Sequence, residues 1–145
     1  MQKITPYLWF DTQAQEAATF YTSIFKNSKI INTNPVMVSF ELDGQNFIAL
    51  NGGPNFKFTE AVSFFVNCED QKEVDYYWEK LSAHPENEQC GWLKDKYGLS
   101  WQIVPKQLGE LMGDSDREKA NRVMQAMLKM KKMDISELQK AYEGK

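Results

Sequence analysis

Apolar and polar residues alternate over 3–10 (KITPYLWF), a period of two that predicts a β-strand with one buried face. The period then lengthens. Ala17, Ala18, Phe20, Tyr21, Ile24 and Phe25 recur at helical spacing, behind a corner where Asp11 or Thr12 can cap the first turn. Asn27-Ser28 ends this helix, and β-rich runs follow at 29–33, 36–42 and 46–50. Asp43-Gly44 joins the last two, and Asp-Gly suits the positive φ angles of a two-residue hairpin turn. After the loop NGGPNFKF at 51–58 the same order resumes. A strand is expected over 61–66, then a helix over 71–82, opened by Glu69-Asp70 and broken at His84-Pro85. Short strands are expected around 89–93 and 99–104, with DKYG as the turn between them.

The second series restates the first at an offset of 56 residues: LWFDTQAQEAATFYTSIF (8–25) aligns without gaps with FFVNCEDQKEVDYYWEKL (64–81). Identities are few, Gln15 with Gln71 and Tyr21 with Tyr77, but strand, polar corner and aromatic helix come in the same order. This predicts an internal duplication. Two βαβββ modules would occupy about 1–55 and 60–105, the second so cramped before Asp95 that there is room for only a vestigial third strand. From Lys106 on the pattern is helical. Ser115-Asp116-Arg117-Glu118 is an S-x-x-E capping box ahead of Ala120, Val123, Met124, Met127 and Leu128, and Asp134 opens a shorter helix with Leu138 and Tyr142. Five of the seven methionines lie at or after Met112, so these helices either cover the sheet with adaptable packing or line a ligand groove. Their apolar face is expected to help bury a sheet edge or a dimer contact. The expected fold class is α+β: paired βαβββ modules over 1–105 and a helical extension over 106–145, one structural domain overall.

Composition narrows the function classes. With 42% apolar and 26% charged residues in 145, the chain has globular composition, and its net charge of −3 argues against a nucleic-acid or anionic-membrane surface. No apolar run approaches the roughly 18 residues of a membrane span. MQKITPYLWF has a single lysine and enters a strand pattern at once, unlike a signal peptide. Cys68 and Cys90 fit no zinc spacing and point to a reducing, cytoplasmic setting. Cys90 has no histidine nearby in sequence, and the one histidine, His84, precedes a proline at a helix end.

The opening ITPYLWFD, the linker LNGGPNFKF and the segment QCGWLKDKYGLSWQIVP resemble the PhnB-like branch of the vicinal oxygen chelate superfamily, which includes glyoxalase I, extradiol dioxygenases and bleomycin-resistance proteins. The branch also carries the label 3-demethylubiquinone-9 3-methyltransferase. The resemblance is expected to extend through the C-terminal helices. It implies that each module curls into a half-barrel and that the two form a cleft, where the superfamily's enzymes hold a divalent metal. Carried over one at a time, the four ligand positions fall on Thr5, Ile48, Ala61 and Gln102, with Leu50 beside Ile48. Three of these offer no strong ligand and the fourth is a neutral amide, so no metal and no cofactor is expected. Methyl transfer usually rides on a strand–Gly-x-Gly–helix turn, and NGGP leads instead into a loop.

Residues two apart on a strand share a face. Thr5, Tyr7 and Trp9 therefore line one face, and the offset places Ala61, Ser63 and Phe65 likewise. With Ile48, Leu50 and Gln102 they give an aromatic lining with a few neutral hydrogen-bonding groups, suited to a small apolar or aromatic ligand. Phe56 and Phe58 either close over such a site as a lid or anchor the loop. The expected function is metal-free binding of a small molecule by a homodimer, in the manner of the bleomycin-resistance proteins. The alternatives are an enzyme of other chemistry in the same cleft and a structural or regulatory dimer whose cleft is filled by side chains.

Overall fold

The structure, a computed structural model, describes residues 2–145. Contacts divide the chain into two compact units, one running to Phe58 and the other from Thr59 to Lys145.

The first unit runs β1 (Tyr7–Phe10), α1 (Ala14–Ile24), β2 (Lys29–Thr33), β3 (Met37–Leu42) and β4 (Gln45–Asn51). Its sheet has the order β1-β4-β3-β2, with β1 parallel to β4 and the other pairs antiparallel. Of the strand expected over 3–10 only the last four residues enter the ladder; Pro6, just before it, has no N–H to donate. Leu8, Phe10, Val38, Phe40, Phe47 and Ala49 form the buried face, against Ala14, Ala17, Ala18 and Tyr21 of α1. Tyr21 stacks on Phe40 at 6.2 Å and Phe40 on Phe47 at 5.4 Å. Burying each such ring stabilises the unit by roughly 1.5–3 kcal/mol. The hairpin turn is as expected, with Asp43 and Gly44 at φ of 48° and 85°. The helix cap is not. Neither Asp11 nor Thr12 caps α1, and Asn51 accepts from the Ala14 N–H at 2.8 Å instead, from the far end of β4.

The second unit runs β5 (Ser63–Cys68), α2 (Gln71–Leu81), a 3-10 turn (Pro85–Asn87), β6 (Trp92–Lys94) and β7 (Ser100–Pro105), then α3 (Lys106–Met112), α4 (Arg117–Met127) and α5 (Ile135–Glu143). The sheet order is β5-β7-β6, with β5 parallel to β7 and β6 antiparallel to it, so first and last strands pair as in the first unit. β1 and β5 begin at Tyr7 and Ser63, the 56-residue offset of the sequence, and α1 and α2 are both 11 residues long. This unit is one strand short. What remains near Gln89 is a single bridge to Trp92, and the N–H groups of Cys90 and Gly91 donate to the carbonyls of Met130 and Lys131. Asp95 is buried in the DKYG turn and accepts from the N–H groups of Tyr97 and Leu99 and from the Trp101 indole at 2.9 Å.

Asp70 and Asp134 cap α2 and α5 as the sequence indicates. Asp116, not Ser115, caps α4, accepting from the N–H groups of Glu118 and Lys119. The short helix α3 has no capping side chain and contains Gly109, so no local pattern announces it. Gln71 on α2 ties the C-terminal part down: its amide donates to the Met133 carbonyl at 2.9 Å and accepts from the Ile135 N–H at 2.8 Å. Tyr142 donates to Asp114 at 2.6 Å, which holds the Asp114 carboxyl below its usual range. No helix among the described residues is long and apolar enough to cross a membrane.

Candidate functional site

In the first unit the register places Tyr7 beside Ile48 and Trp9 beside Leu50, so these four predicted residues do share the sheet face opposite α1. Thr5 lies two residues before β1 and outside the ladder. Tyr7 is 57% exposed on this face, whereas Trp9 is engaged by the loop that follows β4. The Trp9 indole donates to the Gly53 carbonyl at 2.8 Å, and its ring meets Phe56 edge-on at 4.9 Å. Phe58 meets Phe10 edge-on at 5.3 Å. Both loop aromatics thus hold the 51–58 loop against β1.

In the second unit Ala61 is not on the strand; it sits in an exposed turn where its N–H donates to Thr59 Oγ1, and β5 starts two residues later. The remaining predicted residues fall on one face in rows. Ser63, Ser100 and Lys94 lie side by side, then Phe65, Gln102 and Trp92, then Asn67 and Val104. Gln102 donates to Ser63 Oγ at 2.9 Å. Over the last two rows lies an open cavity of about 430 Å³, whose far wall is Leu108, Met112, Met127 and Met133. The sequence singled out Phe65 and Gln102, and it left the methionines open between packing and lining a groove. The register of the helices against the sheet, which decides between these, is not written in any local spacing.

Charge is confined to the margins of this cavity. Lys106 at its rim bonds Glu69 at 2.8 Å, which raises the lysine's pKa. On the next row Lys94 is paired with Glu60, and the hydrogen bond and charge of that lysine hold the Glu60 carboxyl below its usual range. Cys68, behind the sheet, is pushed up to about 12, chiefly by burial and secondarily by Glu73. The superfamily's metal does not fit these residues. Ile48 and Ala61 have no side-chain donor atom, Gln102 is a lone neutral amide whose nitrogen donates to Ser63 and whose oxygen would hold such an ion alone, and among the described residues no three His, Cys, Asp or Glu side chains are placed to hold an ion.

The parallel pairing of first with last strand recurs in both units, in keeping with the paired βαβββ fold that the resemblance to the vicinal oxygen chelate superfamily implies. A glyoxylase/bleomycin resistance protein/dioxygenase domain from Frankia sp. EAN1pec shares this fold at 13% identity and a TM-score of 0.51, over 72% of this chain and 92% of its own. The protein PA1353 of Pseudomonas aeruginosa does so at 15% identity and a TM-score of 0.54, over 72% and 98%. None of the curated proteins matches. Sequence identifies the branch: residues 2–104 match the 3-demethylubiquinone-9 3-methyltransferase family. The PhnB protein of Bacillus cereus, whose name carries that label, is 36% identical over 72% of this chain and 99% of its own, with a TM-score of 0.61. The chain belongs to this PhnB-like family. The match stops at Val104, so the expected extension of the resemblance through the C-terminal helices is not found, and the methionine wall of the cavity lies beyond it.

Proposed function

We propose that the chain binds a small, largely apolar or aromatic molecule, without a metal ion, in the cavity of its second unit. The observation that carries this reading is the lining. A volume of about 430 Å³ is within the range of small-molecule sites. Phe65 and Trp92 supply flat apolar surface, three methionines supply adaptable surface, and Asn67 and Gln102 supply neutral polar groups that can fix an orientation. Methyl transfer, which the family label names, has less support in this chain. Gly52-Gly53 follows β4 but leads into a loop rather than a helix, and it is bound to Trp9 rather than shaped as a phosphate cradle.

The test is a titration of dialysed protein with indole and with methyl 2-naphthoate, followed by tryptophan fluorescence and accompanied by elemental analysis. The expected result is a saturable change, reduced about tenfold or more in apparent affinity by Met127→Glu, which puts a charge on the apolar wall, and no stoichiometric divalent ion. Absence of any saturable response would overturn the binding reading, and one equivalent of zinc, nickel, manganese or iron would overturn its metal-free part.

A further inference from the structure

The polar row next to the cavity is incompletely satisfied. Ser100 sits in register between Ser63 and Lys94, and only 1% of it is exposed. Its hydroxyl is buried without a hydrogen-bond partner. Buried polar groups are normally paired, so an unpaired one calls for an explanation. Its neighbour Lys94 is also withdrawn from solvent, with its side chain 21% exposed, and pairs with Glu60, whose side chain is 60% exposed on the turn before β5. A second hollow of about 320 Å³ is lined by Glu60, Asn87, Gln89, Lys94 and Ser100, and Trp92 lines both this hollow and the larger cavity. Glu60 therefore answers the lysine but leaves the serine hydroxyl unanswered.

We infer that this row is the seat of a carboxylate carried by the ligand, which displaces Glu60 from Lys94 and accepts from the Ser100 hydroxyl. The inference rests on the binding reading above and narrows it to small aromatic or apolar acids. A free carboxylate has two oxygens and can meet both donors at once, which Glu60 does not. The spacing suits such a molecule. Lys94 and Trp92 are two residues apart on one strand, about 6.6–6.8 Å along it, so a ligand whose carboxylate meets the lysine can lay its ring toward the indole. The other cation near the cavity, Lys106, is half exposed and already bonded to Glu69, so it discriminates less between charged and neutral ligands. At neutral pH Glu60 is charged, as any glutamate is, and it competes for the lysine as a tethered carboxylate.

Isothermal titration calorimetry of the full chain with 2-naphthoate and its neutral methyl ester decides the matter through the acid-to-ester affinity ratio. In the wild type the acid should bind about tenfold more tightly, the order expected for a charge-assisted hydrogen bond. Glu60→Gln, which weakens the competitor, should raise the ratio several-fold. Lys94→Met, which keeps the aliphatic stem, should bring it to about one. Should Lys94→Met fail to fold, Ser100→Ala takes its place and should lower the ratio. Equal binding of acid and ester in both the wild type and Glu60→Gln would overturn the carboxylate seat while leaving the apolar site standing. Weaker binding of the acid than of the ester would likewise overturn the carboxylate seat alone, and failure of both compounds to bind would overturn both readings.

Discussion

Trp9 and Phe65 hold matched places in the two units, yet their surroundings differ. Phe65 lines the open cavity, whereas Trp9 is clamped by Phe56, by the Gly53 carbonyl and by the bare backbone of Gly52. A Cβ on Gly52 would lie 2.4 Å from the Trp9 ring, closer than atoms can approach. Gly52→Ala should therefore force the ring or the loop to move and lower stability by about 1–3 kcal/mol, seen as a drop in thermal midpoint; an unchanged midpoint would show that the loop is not held there. Strand alternation alone put Tyr7 and Trp9 on one face, because side-chain direction follows the backbone period. It could not show that Asn51 caps α1, since that bond joins residues 37 apart in sequence. Nor could it show the unpaired Ser100 hydroxyl, which depends on what its neighbours reach.

Among the elements, those with strong local signals were legible. β1 and α1 follow from period, the Asp43-Gly44 hairpin from turn chemistry, and α2 and α5 from period and capping residues together. α3 was unannounced because tertiary packing there overrides local preference, whereas the crowding before Asp95 also announced the reduced strand near Gln89, which is a single bridge. The C-terminal helices show why. Met133 is buried against Gly91, and the carbonyls of Met130 and Lys131 receive N–H groups that a further strand would otherwise pair. A chain ending at Asp114 should leave those donors unpaired and the sheet's apolar face open. It is expected to aggregate or to melt well below the full chain by circular dichroism, and an equally soluble and stable truncated chain would show that α4 and α5 are dispensable to the fold.

Across the whole molecule, a duplicated βαβββ plan has been kept in one unit and modified in the other. The first unit retains four strands and lays its loop on β1, while the second has three strands and carries the C-terminal helices, with a cavity bounded by them. The family match covers the duplicated part and ends before those helices, so the binding proposal depends on residues outside the matched region. Its methionines make the most direct test. The protein labelled with ¹³C at its methionine ε-methyl groups is titrated with methyl 2-naphthoate and followed by NMR. Met112, Met127 and Met133 line the cavity, whereas Met37 lies on β3 of the first unit. Saturable ring-current shifts at Met112, Met127 and Met133, with Met37 unmoved, are the predicted result. Unshifted resonances for all three at saturating probe, or shifts at Met37 alone, would contradict a ligand site in the second unit.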